Sequence, residues 1–135
     1  MPSTSTETRV RYAETDQMGV AYHANYLVWC EMGRTDFIRH HVRSYADLER
    51  DGIALAVSDA RVRYHAGARY DDLVQIETTL TAVRSRALVF DYRITRQPDG
   101  AQLATATTTL VSIDREGKVT AMPAALRAKL TTVIG

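Results

Sequence analysis

The chain has 135 residues, 45% hydrophobic and 24% charged, with 17 Lys plus Arg against 16 Asp plus Glu and a net charge of +1. That is ordinary globular composition for one domain with a real core, and it excludes disorder, collagen and coiled coil. The balanced charge argues against a nucleic-acid or membrane-surface protein, and the single cysteine, Cys30, excludes an internal disulfide or a multi-cysteine zinc site.

No apolar stretch approaches the roughly 18 residues of a membrane span. The polar stretch 1–9 lacks the apolar segment of a secretory signal. The expectation is one cytoplasmic domain over 1–135, with residues 1–6 (MPSTST) as a loose tail. In Thr8–Tyr12, Arg9 and Arg11 alternate with Val10 and Tyr12, which predicts a strand. Glu14 to Gly19 reads as a polar turn. From about Asn25 the period changes: Tyr26, Trp29, Cys30, Gly33, Phe37 and His40 recur at steps of three and four, predicting a helix through about His41. Gly33 falls on its packed face at a cost of about 1 kcal/mol against alanine, so something is expected to approach closely there. A short helix follows over Ser44–Arg50, with Ser44 as N-cap and Gly52 as its left-handed terminator.

The remainder reads as strands: Ile53–Tyr64, then alternating runs Val74–Leu80, Leu88–Ile94 and Leu103–Ile113. Turn signals separate the later runs at Arg84-Ser85-Arg86 and Gln97-Pro98-Asp99-Gly100, and Asp114-Arg115-Glu116-Gly117 ends the last. Short connections make successive strands antiparallel. Pro123 opens a closing helix to about Leu130. The result is an α+β layer, a long helix on one face of an antiparallel sheet. The other face cannot be covered by this chain alone, so an oligomer is expected.

The chain lacks the glycine-rich phosphate loops, a GxSxG elbow and an HExxH pair. His23, His40, His41 and His65 form no metal-ligand spacing. Cys30, on an apolar helix face, reads as packing. One segment concentrates chemistry: Asp16-Gln17-Met18-Gly19-Val20-Ala21-Tyr22-His23-Ala24-Asn25-Tyr26. It sets a carboxylate in a turn ahead of a helix start, where backbone N–H groups lack intrahelical partners and the dipole favours negative charge. Such a pairing can supply a base or nucleophile together with an oxyanion hole. The alternative is that Asp16 only caps the helix, with Asn25 and Tyr26 structural. Arg84 and Arg86, with Arg61, Arg63 and Arg69 upstream, carry forked donors suited to phosphate; the alternative is solvated surface charge. Arg69-Tyr70-Asp71-Asp72 reads as a surface loop.

The stretch Tyr12–Leu27 (YAETDQMGVAYHANYL) resembles the signature of the hotdog-fold acyl-CoA thioesterases. The branch it resembles is the 4-hydroxybenzoyl-CoA thioesterase family, which includes bacterial members linked to the Tol–Pal envelope system. Glu31, Arg34 and Ala68–Leu73 match in register, and the similarity covers about residues 8–125. The resemblance implies a hotdog fold, a long central helix packed on a five- to six-stranded antiparallel sheet. It also implies homodimers joined edge to edge, often paired into homotetramers, with sites at subunit interfaces. It places the catalytic carboxylate on Asp16, the oxyanion-binding N–H on His23 and substrate contacts on Gly19, Val20, Tyr22, Asn25 and Tyr26. The phosphates of coenzyme A would meet Arg84 and Arg86. The implied reaction is hydrolysis of an acyl-CoA to the free acid and CoA, with CoA part of the substrate and no separate cofactor or metal. The chain departs from the family pattern at Gln17 and Met18, where small residues are usual, and at Gly67, where proline is common. Two other functions fit the same residues: a hotdog hydratase or dehydratase pairing His23 with Asp16, and a non-catalytic acyl-CoA-binding or interaction dimer.

Overall fold

The computed structural model describes residues 2–43 and 45–134. In chain order these form β1 (Ser3–Arg9), one 3-10 turn (Tyr12–Glu14), α1 (Asn25–His41), α2 (Tyr45–Arg50), β2 (Ala54–Tyr64), β3 (Leu73–Val83), β4 (Ala87–Gln97), β5 (Ala101–Ile113) and α3 (Ala124–Ile134). The strands make one five-stranded antiparallel sheet in the order β1-β3-β4-β5-β2.

The predicted long helix and four long strands are present, and Gly52, Gly100 and Gly117 hold positive φ at the predicted turns. Ser44, the expected cap of α2, lies outside the described residues. Two expectations need correction. Residues 3–6 are not a tail but part of β1, paired in register with β3 from Ser3↔Thr79 to Arg9↔Leu73. The predicted strand Thr8–Tyr12 therefore sits too late, and Tyr12 opens a 3-10 turn instead. On α1 the buried residues are Tyr26, Trp29, Cys30, Gly33, Phe37 and Ile38. His40 is exposed and belongs to a basic last turn with Arg39 and His41, which suits the negative end of the helix dipole.

The sheet face opposite α1 is mixed in character. Glu77, Asp91 and Arg93 are exposed there, with Arg61 and Arg63 of β2 in register against Thr107 and Thr105. Thr107 Oγ1 donates to Asp91 Oδ1 at 2.9 Å. The middle of this face is therefore polar, while Val89, Val111 and Ile113 fall on it toward one end, half-buried. The bare apolar surface lies on the helix side, along edge strand β2, where Val57 and Tyr64 are 48% and 46% exposed. Helix α1 leans on β1, β3 and β4 and leaves that edge open.

Gly33 explains how closely α1 sits on the sheet. A Cβ there would lie 2.9 Å from Ile76 Cγ2 and even closer to Thr78 Oγ1. The Thr78 hydroxyl is buried without a hydrogen-bond partner among the described residues. Both neighbours are stiff β-branched side chains on a central strand, so they cannot swing away. Gly33→Ala gains about 1 kcal/mol of helix propensity but overpacks the core by about 1–3 kcal/mol. A net loss of stability is expected in urea unfolding. Adding Thr78→Ala, which removes the orphaned hydroxyl, is expected to restore most of it; strictly additive effects would refute this packing account.

Candidate active site

The segment between β1 and α1 is shaped by backbone hydrogen bonds that leave a few polar groups unused. Val10 and Asp71–Asp72 exchange bonds, with Val10 N donating to Asp72 O at 3.0 Å and Asp71 N donating to Val10 O at 2.8 Å. Thr15 and Ala21 form an isolated antiparallel bridge. Within the loop it closes, Asp16 N donates to Val20 O at 2.9 Å and Gly19 N to Asp16 O at 3.0 Å. Gly19 has φ +81°, which a residue with a Cβ adopts only with strain. Ala21 N then donates to Ala68 O at 2.8 Å, tying this loop to the approach to β3. Gly67 fits that contact, since a Cβ there would lie 2.9 Å from Val20 Cγ1.

Asp16 is half-buried. Its Oδ1 accepts from Met18 N at 2.9 Å, and its Oδ2 has no partner among the described residues. It does not cap α1: the N-cap is Ala24, with no side-chain cap. The alternative of a merely capping aspartate is therefore not what the structure shows. At the helix mouth, Asn25 N donates to Tyr22 O at 2.9 Å and Leu27 N to Ala24 O at 3.1 Å. Among the described residues the N–H groups of His23 and Ala24 have no acceptor. The carbonyl of His23 is pinned by the Tyr64 hydroxyl at 2.9 Å.

Glu14 holds this frame together, and sequence reasoning missed it. Its side chain is 6% exposed. Oε1 accepts from Arg11 N at 2.7 Å and Oε2 from Trp29 Nε1 at 3.2 Å. Its own carbonyl accepts from Tyr22 N and from Asn25 Nδ2, both at 2.8 Å. One residue thus ties the turn carrying Asp16 to the first turns of α1. The available signal was a glutamate three residues after Arg11, the spacing at which its carboxylate reaches back to that backbone amide, although arginine has no side-chain acceptor to complete a capping box.

The expected substrate contacts divide. Gly19 and Tyr22 are exposed and Val20 half-buried. Asn25 spends its amide on Glu14. Tyr26 is 2% exposed, and its hydroxyl accepts from Ala68 N at 3.3 Å. Burial raises the Tyr26 phenol pKa against the opposing effect of that bond. Asn25 and Tyr26 therefore brace the site from within. The His23 ring is exposed and lies 4.4 Å from the Tyr22 ring. Among the described residues no hydrogen bond joins it to the Asp16 carboxylate, so the dyad of a hydratase is not assembled. Cys30 is buried and its thiol is pushed up to about 12, keeping it neutral.

Arg84 and Arg86 stand apart. They flank the β3–β4 turn, whereas Ala68 and Asp72, which hold the Asp16 loop, precede β3. The 11 residues of β3 separate the two ends by about 35 Å at roughly 3.3 Å per residue. On one chain they do not share a site with Asp16. Arg69 is nearer, its Nη1 lying 3.7 Å from where a Cβ on Gly19 would stand.

A long helix packed on a five-stranded antiparallel sheet is the architecture of the hotdog thioesterases. The model of the thioesterase-like superfamily matches residues 10–130, and the chain belongs to that superfamily. It is 33% identical over 107 residues to the acyl-CoA thioesterase YbgC of Haemophilus influenzae, covering 78% of this chain and 77% of that protein. It is 43% identical over 86 residues to the acyl-CoA thioester hydrolase YbgC of Escherichia coli, covering 64% of each. Among solved structures, a DHNA-CoA thioesterase from Staphylococcus aureus superposes with a TM-score of 0.93 at 33% identity, covering 98% of this chain and 91% of that one.

Proposed function

We propose that this protein hydrolyses acyl-CoA thioesters to the free acid and CoA. The observation that carries the reading is that the Asp16 Oδ2 and the His23 and Ala24 amides at the mouth of α1 have no partner among the described residues, on a segment that Glu14 braces at both ends. The named activities of the related YbgC proteins and of the Staphylococcus aureus enzyme support it.

In the general-base route Asp16 takes a proton from water, and the resulting hydroxide adds to the thioester carbon. In the nucleophilic route the carboxylate itself adds, forming a mixed anhydride that water opens. Either way the carbonyl oxygen becomes an oxyanion, which the His23 N–H stabilises; such a donor is worth about 3–4 kcal/mol. Collapse expels CoA as a thiolate, and with a thiol pKa near 8.5 this leaving group needs no strong acid. Gly19, Val20 and Tyr22 border the thioester.

The protein acts as a homodimer or homotetramer in the cytoplasm. The open edge of β2, 11 residues long with apolar residues bare on the helix side, favours pairing with a second copy. Antiparallel pairing of two such edges sets the far end of one sheet beside the site end of the other. In that arrangement Arg84 and Arg86 of one copy serve the CoA phosphates bound by the other. Purified protein incubated with benzoyl-, short- and long-chain acyl-CoAs is expected to release free thiol, read with a thiol reagent. Loss of enoyl absorbance without thiol release, or tight binding without turnover, would contradict hydrolysis.

A further inference from the structure

The His23 carbonyl is held in a way that α1 itself does not require. Carbonyls in the first turn of a helix find donors further along it, and the groups left over at that end are N–H groups. The His23 carbonyl already has such a donor in Tyr26 N, at 3.3 Å. It accepts a second, shorter bond of 2.9 Å from the Tyr64 hydroxyl, which arrives from β2. Tyr64 is 46% exposed, so burial does not force this bond and water would satisfy the hydroxyl.

Packing aims it instead. Tyr64 is the last residue of β2, in register with Ala104 of β5. Its ring stands nearly perpendicular to that of Tyr26, with centroids 5.1 Å apart, and edge-on to the His23 ring at 6.3 Å. Tyr26 is buried on α1 and packs in turn against Trp29 at 4.7 Å. The hydroxyl is thus carried by a strand and braced by a helix.

A trans peptide is planar, with its C=O and N–H pointing opposite ways. Fixing the His23 carbonyl therefore fixes the direction of the Ala24 N–H, which belongs to the same peptide unit. The preceding unit is fixed likewise, because the Tyr22 carbonyl accepts from Asn25 N at 2.9 Å and so sets the His23 N–H. Neither N–H has an acceptor among the described residues. A carbonyl that accepts a bond also polarises its amide, making the N–H a stronger donor.

We infer that Tyr64 is a positioning residue of the thioester site: through the His23 carbonyl it aims the Ala24 N–H as a second donor, beside that of His23, to the oxyanion. This assignment rests on the hydrolase reading above. Two fixed donors then meet the carbonyl oxygen as charge develops on it.

The test is Tyr64→Phe, which keeps the ring against Tyr26 and removes only the hydroxyl. On the fastest of the benzoyl-, short- and long-chain acyl-CoAs, kcat is expected to fall about 10- to 10²-fold, the cost of a small misplacement of a reacting group. KM and the urea unfolding midpoint should stay nearly unchanged. The second readout is the infrared spectrum of a bound ketone analogue, carbon-13 labelled at a carbonyl that a methylene separates from sulfur. In the wild type its stretching frequency is expected to lie below that in water, and Tyr64→Phe should reverse part of that shift. Unchanged kcat in a folded Tyr64→Phe overturns the assignment. So does a fall in kcat with an unchanged carbonyl frequency, the mark of a merely structural tyrosine. A wild-type frequency no lower than in water overturns it even if Tyr64→Phe fails to fold. If the wild type releases thiol from none of these acyl-CoAs, the hydrolase reading falls and the assignment falls with it; the other outcomes, with thiol still released, leave that reading standing.

Discussion

Asp16→Asn is expected to lower kcat for acyl-CoA hydrolysis by about 10²–10⁴-fold, the contribution of a positioned base. The substitution is nearly isosteric, and the Asn Oδ1 can keep the 2.9 Å bond from Met18 N that shapes the turn. The Asp16 N to Val20 O bond and the bond from Gly19 N to Asp16 O are backbone interactions and survive. The loss therefore falls on chemistry rather than folding, and urea unfolding should be nearly unchanged. The contrast is His23→Ala, which removes an exposed ring but leaves the backbone N–H in place. Its effect on kcat should be far smaller. Thiol-release kinetics on both variants decide the matter. Wild-type turnover in Asp16→Asn would remove the carboxylate from the mechanism.

Glu14→Ala is expected to destabilise the fold by about 3 kcal/mol, since a buried donor left without its acceptor costs about 1–3 kcal/mol. Trp29 is fully buried, and its indole N–H loses its acceptor at the centre of the core. The Arg11 amide also loses its acceptor but lies near solvent and can recruit water. The 3.6 Å contact with the Arg11 guanidinium adds little, because that side chain is 74% exposed. Glu14→Gln keeps an acceptor oxygen and should lose much less. Glu14 also orients the turn before Asp16, so kcat should fall in Glu14→Ala even where the protein is folded. Urea unfolding and thiol release on the same samples separate these effects; equal stability of Glu14→Ala and wild type would contradict the bracing role.

Periodic patterns revealed what periodicity can reveal. Tyr26, Trp29, Cys30, Gly33 and Phe37 marked the buried face of α1, and the alternating runs of β3, β4 and β5 marked strands with one wet face. β1 escaped because nothing in Ser3–Arg9 alternates between apolar and polar. It is a strand by virtue of pairing with β3, and its buried Thr6 is satisfied by Asp36 Oδ2 at 2.8 Å. The character of the opposite sheet face was only partly legible: Glu77, Asp91 and Arg93 make its middle polar, while Val89 and Val111 also fall on it. Bare apolar surface depends on where α1 leans, which spacing cannot express. At the site, Asp16, Gly19 and the helix mouth were legible as a local run. The bracing by Glu14 and Tyr64 was not: Glu14 reaches Trp29 across the loop, and Tyr64 reaches His23 from β2. The Arg84–Arg86 turn shows the converse, since two arginines suited to phosphate lie a full strand length from the carboxylate.

The most direct measurement is a crystal structure of the protein with a non-hydrolysable acyl-CoA in which a methylene separates the carbonyl from sulfur. The account predicts its carbonyl oxygen within about 3 Å of the His23 amide nitrogen, with Asp16 Oδ2 facing the carbonyl carbon directly or through one water. An analogue bound with its carbonyl beyond reach of both groups, at the Arg84–Arg86 end or on the sheet face opposite α1, would contradict it.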